Sequence, residues 1–133
     1  STVVGSYGKI NPVKKVLSNS AITSSFNPVL AISSVSGSAV LGVAVWKALE
    51  QNTNKQILQL TTVSVNGWSE SPAVTISDSS IETPFDDYGV DISQDGELIA
   101  VSWSSFITET ASRVMRRIYS EDGGLTWSSP ETL

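Results

Sequence analysis

The sequence predicts an all-β fold of short antiparallel strands. Serine and threonine account for 24 and 11 of the 133 residues, a bias that suits exposed strands and turns better than helices. Short β-branched runs recur roughly every ten to fifteen residues, with Gly, Asn, Asp, Ser and Pro between them. No stretch sustains the apolar stripe of a helix, and residues 47–55 are interpreted as a long loop or a single helical turn.

Eight segments show this strand pattern. They are residues 13–17, 29–33, 40–46, 57–65, 73–77, 89–93, 98–103 and 114–120. Between two of them lies Asp95-Gly96, a strong hairpin signal because both central residues of such a turn tolerate positive φ. The sequence therefore predicts a hairpin at 94–97, whose counterpart earlier in the chain is a longer turn containing Gly37.

Three pairs of aromatic residues indicate an internal repeat. They are Trp46 and Trp103, 57 positions apart, Phe26 and Phe85, 59 apart, and Trp68 and Trp127, also 59 apart. The chain thus divides into the end of one unit (1–25), a whole unit (26–84) and most of another (85–133). A repeat of four strands and this length is typical of a propeller blade. We therefore expect a partial β-propeller of about two and a half four-stranded antiparallel blades.

Composition and charge exclude several classes of function. The formal net charge of -5 argues against a nucleic-acid binder, because phosphates would not be neutralised. The chain has no cysteine and no histidine, so neither a thiolate metal site nor a Ser-His-Asp or Cys-His catalytic group can form. No apolar run is long enough to span a bilayer. We expect no cofactor, no metal and no membrane span, and the Ser- and Thr-rich strands favour an extracellular or cell-surface location.

Residues 120–127 carry a motif of five residues at fixed spacing. Its defining positions are Ser120, Asp122, Gly124, Thr126 and Trp127. This pattern resembles the Asp-box, or BNR repeat, of sialidases and related β-propellers, where it forms the turn between the third and fourth strands of a blade. The preceding unit has only a degenerate copy at 64–68. The resemblance implies a structural turn on the outer rim, and the chemistry agrees, since a short Asp side chain fixes nearby backbone N–H groups and Gly allows positive φ.

The same resemblance raises the question of catalysis. Enzymes of this family hold a substrate carboxylate with three arginines from different blades, and use a tyrosine nucleophile with a glutamate partner and an acid/base aspartate. Here the three arginines are Arg113, Arg116 and Arg117, all in one predicted strand. Alternation sends Arg116 to one face and the other two to the opposite face, so they cannot converge on one carboxylate. No tyrosine has an evident glutamate partner, so we expect no catalytic residue within this chain.

Five side chains are candidates for ligand binding. They are Trp68, Tyr88, Arg113, Arg116 and Arg117. An outer strand with solvated arginines is the alternative interpretation of the arginine group. The acidic segment 78–91 suggests a calcium loop but lacks a regular ligand pattern, so it is interpreted as a solvated loop.

Three functions follow from these observations. The first is a non-catalytic propeller module that binds carbohydrate or a protein surface. The second is part of an exo-sialidase or another glycoside hydrolase whose catalytic residues lie outside this chain, and the third is a purely structural module. Propellers have four to eight blades, so the remaining blades would come from a longer chain or from homo-oligomerisation.

Overall fold

Two antiparallel sheets form the part of the chain that the computed structural model describes, residues 22–33, 41–51, 53–64, 69–70 and 72–133. The first sheet has the order β1 (Ile22–Ile32), β2 (Leu41–Glu50) and β3 (Gln56–Ser64), and the short strands β4 (Ser69–Glu70) and β5 (Val74–Thr75) both pair with β3. The second sheet has the order β6 (Glu82–Ile92), β7 (Ile99–Ile107), β8 (Ser112–Ser120) and β9 (Glu131–Thr132). These residues contain no helix, which confirms the all-β class. Both sheets are open, and their arrangement in a propeller stays a prediction.

The two sheets are built to the same plan. Trp46 in β2 pairs with Gln59 in β3, and Trp103 in β7 pairs with Arg116 in β8. Both members of the second pair lie 57 positions after their counterparts, so the strand register is the same in the two sheets. The first strands also share an irregularity in register, which lies opposite Trp46 in β1 and opposite Ser104, next to Trp103, in β6. The predicted repeat of four strand positions is therefore present.

Each sheet has two faces, which we name by their equivalent positions. The front face carries Ala44, Trp46, Ala48 and Ile57 in the first sheet, and Ile99, Val101, Trp103 and Ile118 in the second. The rear face carries Val43, Val45, Leu58 and Leu60 in the first sheet, and Ala100, Ser102, Met115 and Tyr119 in the second. These names follow from the alternation of side chains along a strand.

The core lies where the rear face of the first sheet packs against the front face of the second. Ten buried residues form this cluster, Val43, Val45, Leu58, Leu60, Ile76, Tyr88, Ile99, Val101, Trp103 and Ile118. A large buried side chain such as Trp103 contributes about 2–3 kcal/mol of apolar transfer free energy. Two polar contacts also join the sheets. Lys47 Nζ lies 2.6 Å from the Asp86 carboxylate, and the Tyr88 hydroxyl donates to the Asn27 carbonyl.

Two segments differ from the sequence-based expectation. Residues 47–50 continue β2 and do not form a loop or helical turn, because they pair with both β1 and β3 and the side chains of Lys47 and Ala48 are buried on the two faces of the sheet. Most of the acidic segment 78–91 is strand β6 and not a solvated loop. Some of its carboxylates point to the exposed face of the strand, and the others pair with hydrogen-bond donors or cations, as described below. The predicted strand at 13–17 and the turn containing Gly37 lie outside the described residues.

The predicted hairpin at 94–97 is present between β6 and β7. Ser93 N donates to the Leu98 carbonyl at 2.8 Å and closes the loop. Only Gly96 has positive φ, at 79°. The Asp95 carboxylate accepts hydrogen bonds from Ser93 Oγ at 2.6 Å and from Glu97 N at 3.0 Å. These bonds stabilise the turn although Asp95 itself does not adopt a positive φ.

Candidate functional site

The turn after β8 is held by hydrogen bonds to the Asp122 side chain. Asp122 Oδ1 accepts from Ser120 Oγ at 2.7 Å and from Thr126 N at 2.9 Å, and Oδ2 accepts from Thr126 Oγ1. Ser120 Oγ also accepts from Gly124 N at 2.9 Å. The bonds from Thr126, followed by that from Ser120, lower the pKa of Asp122 to about 2. Both oxygens of the Asp122 carboxylate therefore bind groups of the same turn, which is a structural role.

The same turn also holds the two sheets together. Gly124 adopts φ 91°, and a Cβ atom at this position would lie 2.5 Å from Thr62 Cγ2 of the first sheet. Gly123 N donates to the Glu97 carbonyl at 2.9 Å, which ties the turn to the β6–β7 hairpin. Trp127 is half-buried against the core between the sheets. Leu125, at the tip, is 85% exposed and contributes nothing to these contacts.

The three arginines of β8 do not form one site. Arg113 pairs with Asp87 at 2.8 Å and stacks over the Phe85 ring at 4.4 Å, and Arg117 pairs with Glu131 at 3.2 Å, both on the rear face. Arg116 lies on the front face. Each guanidinium therefore has its own carboxylate, and the division between two faces that alternation predicts is confirmed.

Arg116 belongs to a buried polar cluster around Glu82 that the sequence gives no sign of. Arg116 Nε lies 3.2 Å from Glu82 Oε2, an ion pair without the alignment of a hydrogen bond. Glu82 Oε1 accepts from Trp103 Nε1 at 2.8 Å, and Oε2 accepts from Asp78 N at 3.2 Å. The Glu82 side chain is fully buried. Trp103 and Arg116 belong to the same sheet as Glu82, and Asp78 lies in the turn just before β6, so this cluster fixes the start of β6 to its sheet and is not open to a ligand.

The remaining sequence candidates are placed as follows. Tyr88 is buried in the core, and burial raises the pKa of its phenol. Trp68 lies outside the described residues. The acids of 78–91 are dispersed, since Asp86 pairs with Lys47 and Asp87 binds Ser104 Oγ and Arg113. Among the residues described, no group of three potential metal ligands occurs.

The exposed surface that stands out is the rear face of the second sheet. Four large apolar side chains are solvent-exposed there, Leu98 at 55%, Met115 at 43%, Phe106 at 39% and Tyr119 at 39%. Between them, β7 presents the small side chains of Ala100 and Ser102. At one end of this face lies an open groove of about 420 Å³ lined in part by Asp91, Leu98, Ala100, Tyr119 and Glu121.

Sequence reasoning missed this face because its individual residues are unremarkable. Isolated exposed apolar residues are ordinary on protein surfaces, and Met115 and Tyr119 were not candidates. The signal that could have found them is the repeat itself. Met115 occupies the position of Leu58, which is fully buried.

Comparisons with known proteins identify no relative of this chain. The chain matches no family model, no curated protein and no solved structure. Among the described residues, no helix is long and apolar enough to cross a membrane.

Proposed function

We propose that the chain is a non-catalytic repeat module of the Asp-box propeller type, and that it works by binding a protein surface. Two features support the repeat assignment. The sheets share one register and stack rear face on front face, and in the turn at 120–127 the motif residues Ser120, Asp122, Gly124 and Thr126 bind one another by hydrogen bonds. The proposal of a propeller rests on these features and on the motif.

The observation that carries the binding role is the exposed rear face of the second sheet. The equivalent face of the first sheet is completely covered by the second sheet, with Val43, Val45, Leu58 and Leu60 each at most 1% exposed. The second rear face carries four exposed large apolar residues but nothing covers them in the described chain. Arg113 and Arg117, each paired with a carboxylate, lie on the same face among these apolar residues. Exposed aromatic, methionine and arginine side chains are enriched at protein–protein interfaces, so this face fits another protein better than a small molecule.

The placement of the arginines supports the non-catalytic part of the proposal. A substrate carboxylate would need guanidinium groups that converge on it, but Arg113 and Arg117 are paired on one face and Arg116 on the other. Hydrolysis of a fluorogenic sialoside by the purified chain would contradict the proposal. Under the alternative of a glycoside hydrolase, the catalytic residues would lie outside this chain.

Site-specific photo-cross-linking in cells that express the chain tests the binding face. A benzophenone amino acid at position 115 lies in the middle of the rear face, and the same group at position 125 lies on the exposed turn as a matched control. We expect one discrete protein cross-link from position 115, absent from position 125 and abolished by Tyr119→Glu. Cross-links from both positions or from neither would overturn the assignment of this face.

Carbohydrate binding is the second candidate, and the groove at the end of the rear face favours it. Tyr119 offers an aromatic surface, and Asp91 and Glu121 are exposed carboxylates that make no hydrogen bond or ion pair within the described chain. Aromatic rings and carboxylates are suitable partners for the C–H faces and hydroxyl groups of a sugar. A glycan array with wild type and Tyr119→Ala tests this candidate. Binding lost in the variant would establish it, whereas binding unaffected by the variant or absent altogether would exclude the groove.

A further inference from the structure

We infer that the open groove at the end of the rear face of the second sheet receives an arginine side chain of the partner protein. This inference rests on the proposed function, because it names the chemistry by which the same face recognises its partner. Three observations support it: the lining of the groove, the balance of charge around it, and two arginine contacts that the rear face already makes within the chain.

The groove combines apolar surface with carboxylates. Leu98, Ala100 and Tyr119 supply apolar surface, and Asp91 and Glu121 supply carboxylates. Asp91 in β6 pairs with Ala100 in β7, which pairs with Tyr119 in β8. The acid and the tyrosine therefore lie two strands apart, at roughly 10 Å. A long side chain with an apolar stem and a charged head matches such a lining, because the stem can stay on apolar surface while the head reaches a carboxylate.

The groove carries negative charge that the described chain does not balance. Asp91 and Glu121 are exposed, and neither makes a hydrogen bond or ion pair with another described residue. No lysine or arginine belongs to the described lining. The three arginines of the same sheet are each paired with a different carboxylate. A cationic occupant is therefore favoured, because complementary charges steer the encounter of two proteins and fix their register.

The rear face itself shows how such a cation is bound. Arg113 lies over the Phe85 ring at 4.4 Å and pairs with Asp87 at 2.8 Å. Arg117 lies 5.7 Å from the centroid of the Tyr119 ring, and it too has a carboxylate partner. In both contacts a guanidinium group lies against an aromatic ring and pairs with a carboxylate. The groove offers the ring and the carboxylates of a third such contact, so an arginine of the partner would complete it.

Arginine suits this lining better than lysine does. A guanidinium group is planar, so it stacks on an aromatic ring and binds a carboxylate through two parallel hydrogen bonds. The ammonium group of lysine is a compact and strongly hydrated charge without that geometry. We therefore expect the groove to prefer arginine to lysine, and lysine to an uncharged side chain of similar shape.

An NMR titration of the purified, isotope-labelled chain tests the inference with a defined probe. The probe is the capped peptide acetyl-Ala-Val-Arg-Val-Ala-amide, and its matched controls carry lysine or the uncharged isostere citrulline in place of arginine. We expect the arginine peptide to shift the backbone amide signals of Leu98, Ala100 and Tyr119, with saturation at millimolar concentration. The citrulline peptide should bind about tenfold more weakly, because it loses both the ion pairs and the cation–π contact.

Neutral variants of the protein test the carboxylates of the groove. The double variant Asp91→Asn and Glu121→Gln should bind the arginine peptide about tenfold more weakly than wild type does, because two ion pairs are lost. Glu109→Gln is the matched control for Glu121→Gln, since it removes the same charge from the β7–β8 turn at the other end of the sheet. Only the change at 121 should weaken binding, which separates the groove from the net charge of the chain.

Each result supports or overturns the inference. An arginine peptide that shifts none of these signals, a citrulline peptide that binds equally well, or a double variant that binds as wild type does would overturn it. The comparison of peptides uses wild type alone, so it decides the matter even if a variant fails to fold. If the peptides fail but position 115 still cross-links to a protein in cells, the proposed function stands without the arginine contact. Absence of that cross-link would instead overturn the proposed function, and this inference with it.

Discussion

Trp46 and Trp103 occupy the same position in two sheets of the same register, yet their surroundings differ. Both are buried on the front face, at 4% and 0% exposure. The indole N–H of Trp103 donates to Glu82, whereas the indole N–H of Trp46 is buried and has no hydrogen-bond partner among the residues that the structure describes. Opposite Trp46, Gln59 stands where the second sheet has Arg116, and its buried Oε1 likewise has no partner in the described part of the chain.

This difference shows which part of the unit repeats. The register, the bulged first strand and the buried tryptophan recur, because they determine whether one sheet can stack on the next. Among the described residues, the polar cluster of Glu82, Trp103 and Arg116 has no counterpart in the first sheet. The stacking geometry is therefore the repeated feature, and the polar contacts are particular to each copy.

Removing the Glu82 carboxylate at the centre of the cluster should have the largest effect on the free energy of unfolding. Glu82→Ala leaves the Arg116 guanidinium and the Trp103 N–H buried without their partner, and breaking a buried ion pair in this way costs about 3–5 kcal/mol. Chemical denaturation should show this loss in the free energy of unfolding. Glu109→Ala, which removes an exposed carboxylate in the β7–β8 turn, is the control and should change it little. Equal stabilities of the two variants would mean that the cluster contributes nothing.

A matched pair of tryptophan substitutions should sharpen the comparison. Trp103→Phe and Trp46→Phe remove the same atoms, but only the first leaves a buried carboxylate oxygen without its donor. An orphaned buried acceptor costs about 1–3 kcal/mol, so Trp103→Phe should lower the free energy of unfolding by about that much more than Trp46→Phe. If Trp46→Phe proves the more damaging of the two, its indole N–H has an acceptor after all.

A methyl group at Gly124 should test the contact between the turn at 120–127 and the first sheet. Gly124→Ala forces a left-handed backbone on alanine and brings Cβ to 2.5 Å from Thr62 Cγ2, at a cost of about 1–3 kcal/mol. Adding Thr62→Ala removes the clash but not the backbone strain, and should restore part of the lost melting temperature. No rescue would show that the turn does not press on β3.

The pH dependence of the melting temperature should show how much the Asp122 carboxylate stabilises the turn. The pKa of Asp122 is lowered to about 2 in the folded state from an ordinary value of 3.8. Its contribution to stability is then complete above about pH 4 and is lost as the pH falls from there through 2. The difference in melting temperature between wild type and Asp122→Asn should thus shrink over this range. Leu125→Asn, an exposed position of the same turn without a titratable group, is the control and should show no such change.

Much of the architecture could be predicted from the sequence because it depends on periodic signals. The spacing of Trp46 and Trp103 gave the repeat, and alternation along β8 gave the two faces on which its arginines lie. Strand ends were less predictable. Polar residues such as Lys47 extended β2 because a cross-sheet partner, Asp86, compensates for the burial of a charge.

The polar cluster and the exposed face were not predictable from local patterns. Glu82 lies in an acidic stretch that looks solvated, and its burial depends on Trp103 and Arg116, which are 21 and 34 positions further along the chain. Whether Met115 is exposed depends on whether another sheet packs against the rear face of its own sheet. No window of sequence contains that information.

The most direct test of the account is the accessibility of alternate residues in β2 and β7. The chain has no cysteine, so Ala44→Cys, Val45→Cys, Val101→Cys and Ser102→Cys each introduce a single thiol whose alkylation rate can be measured in dilute solution. We predict fast labelling at position 102 only. The thiols at the other three positions should react roughly a hundredfold or more slowly, because their labelling requires local opening of the structure. A thiol at 102 as protected as that at 45, or one at 44 as reactive as that at 102, would contradict it.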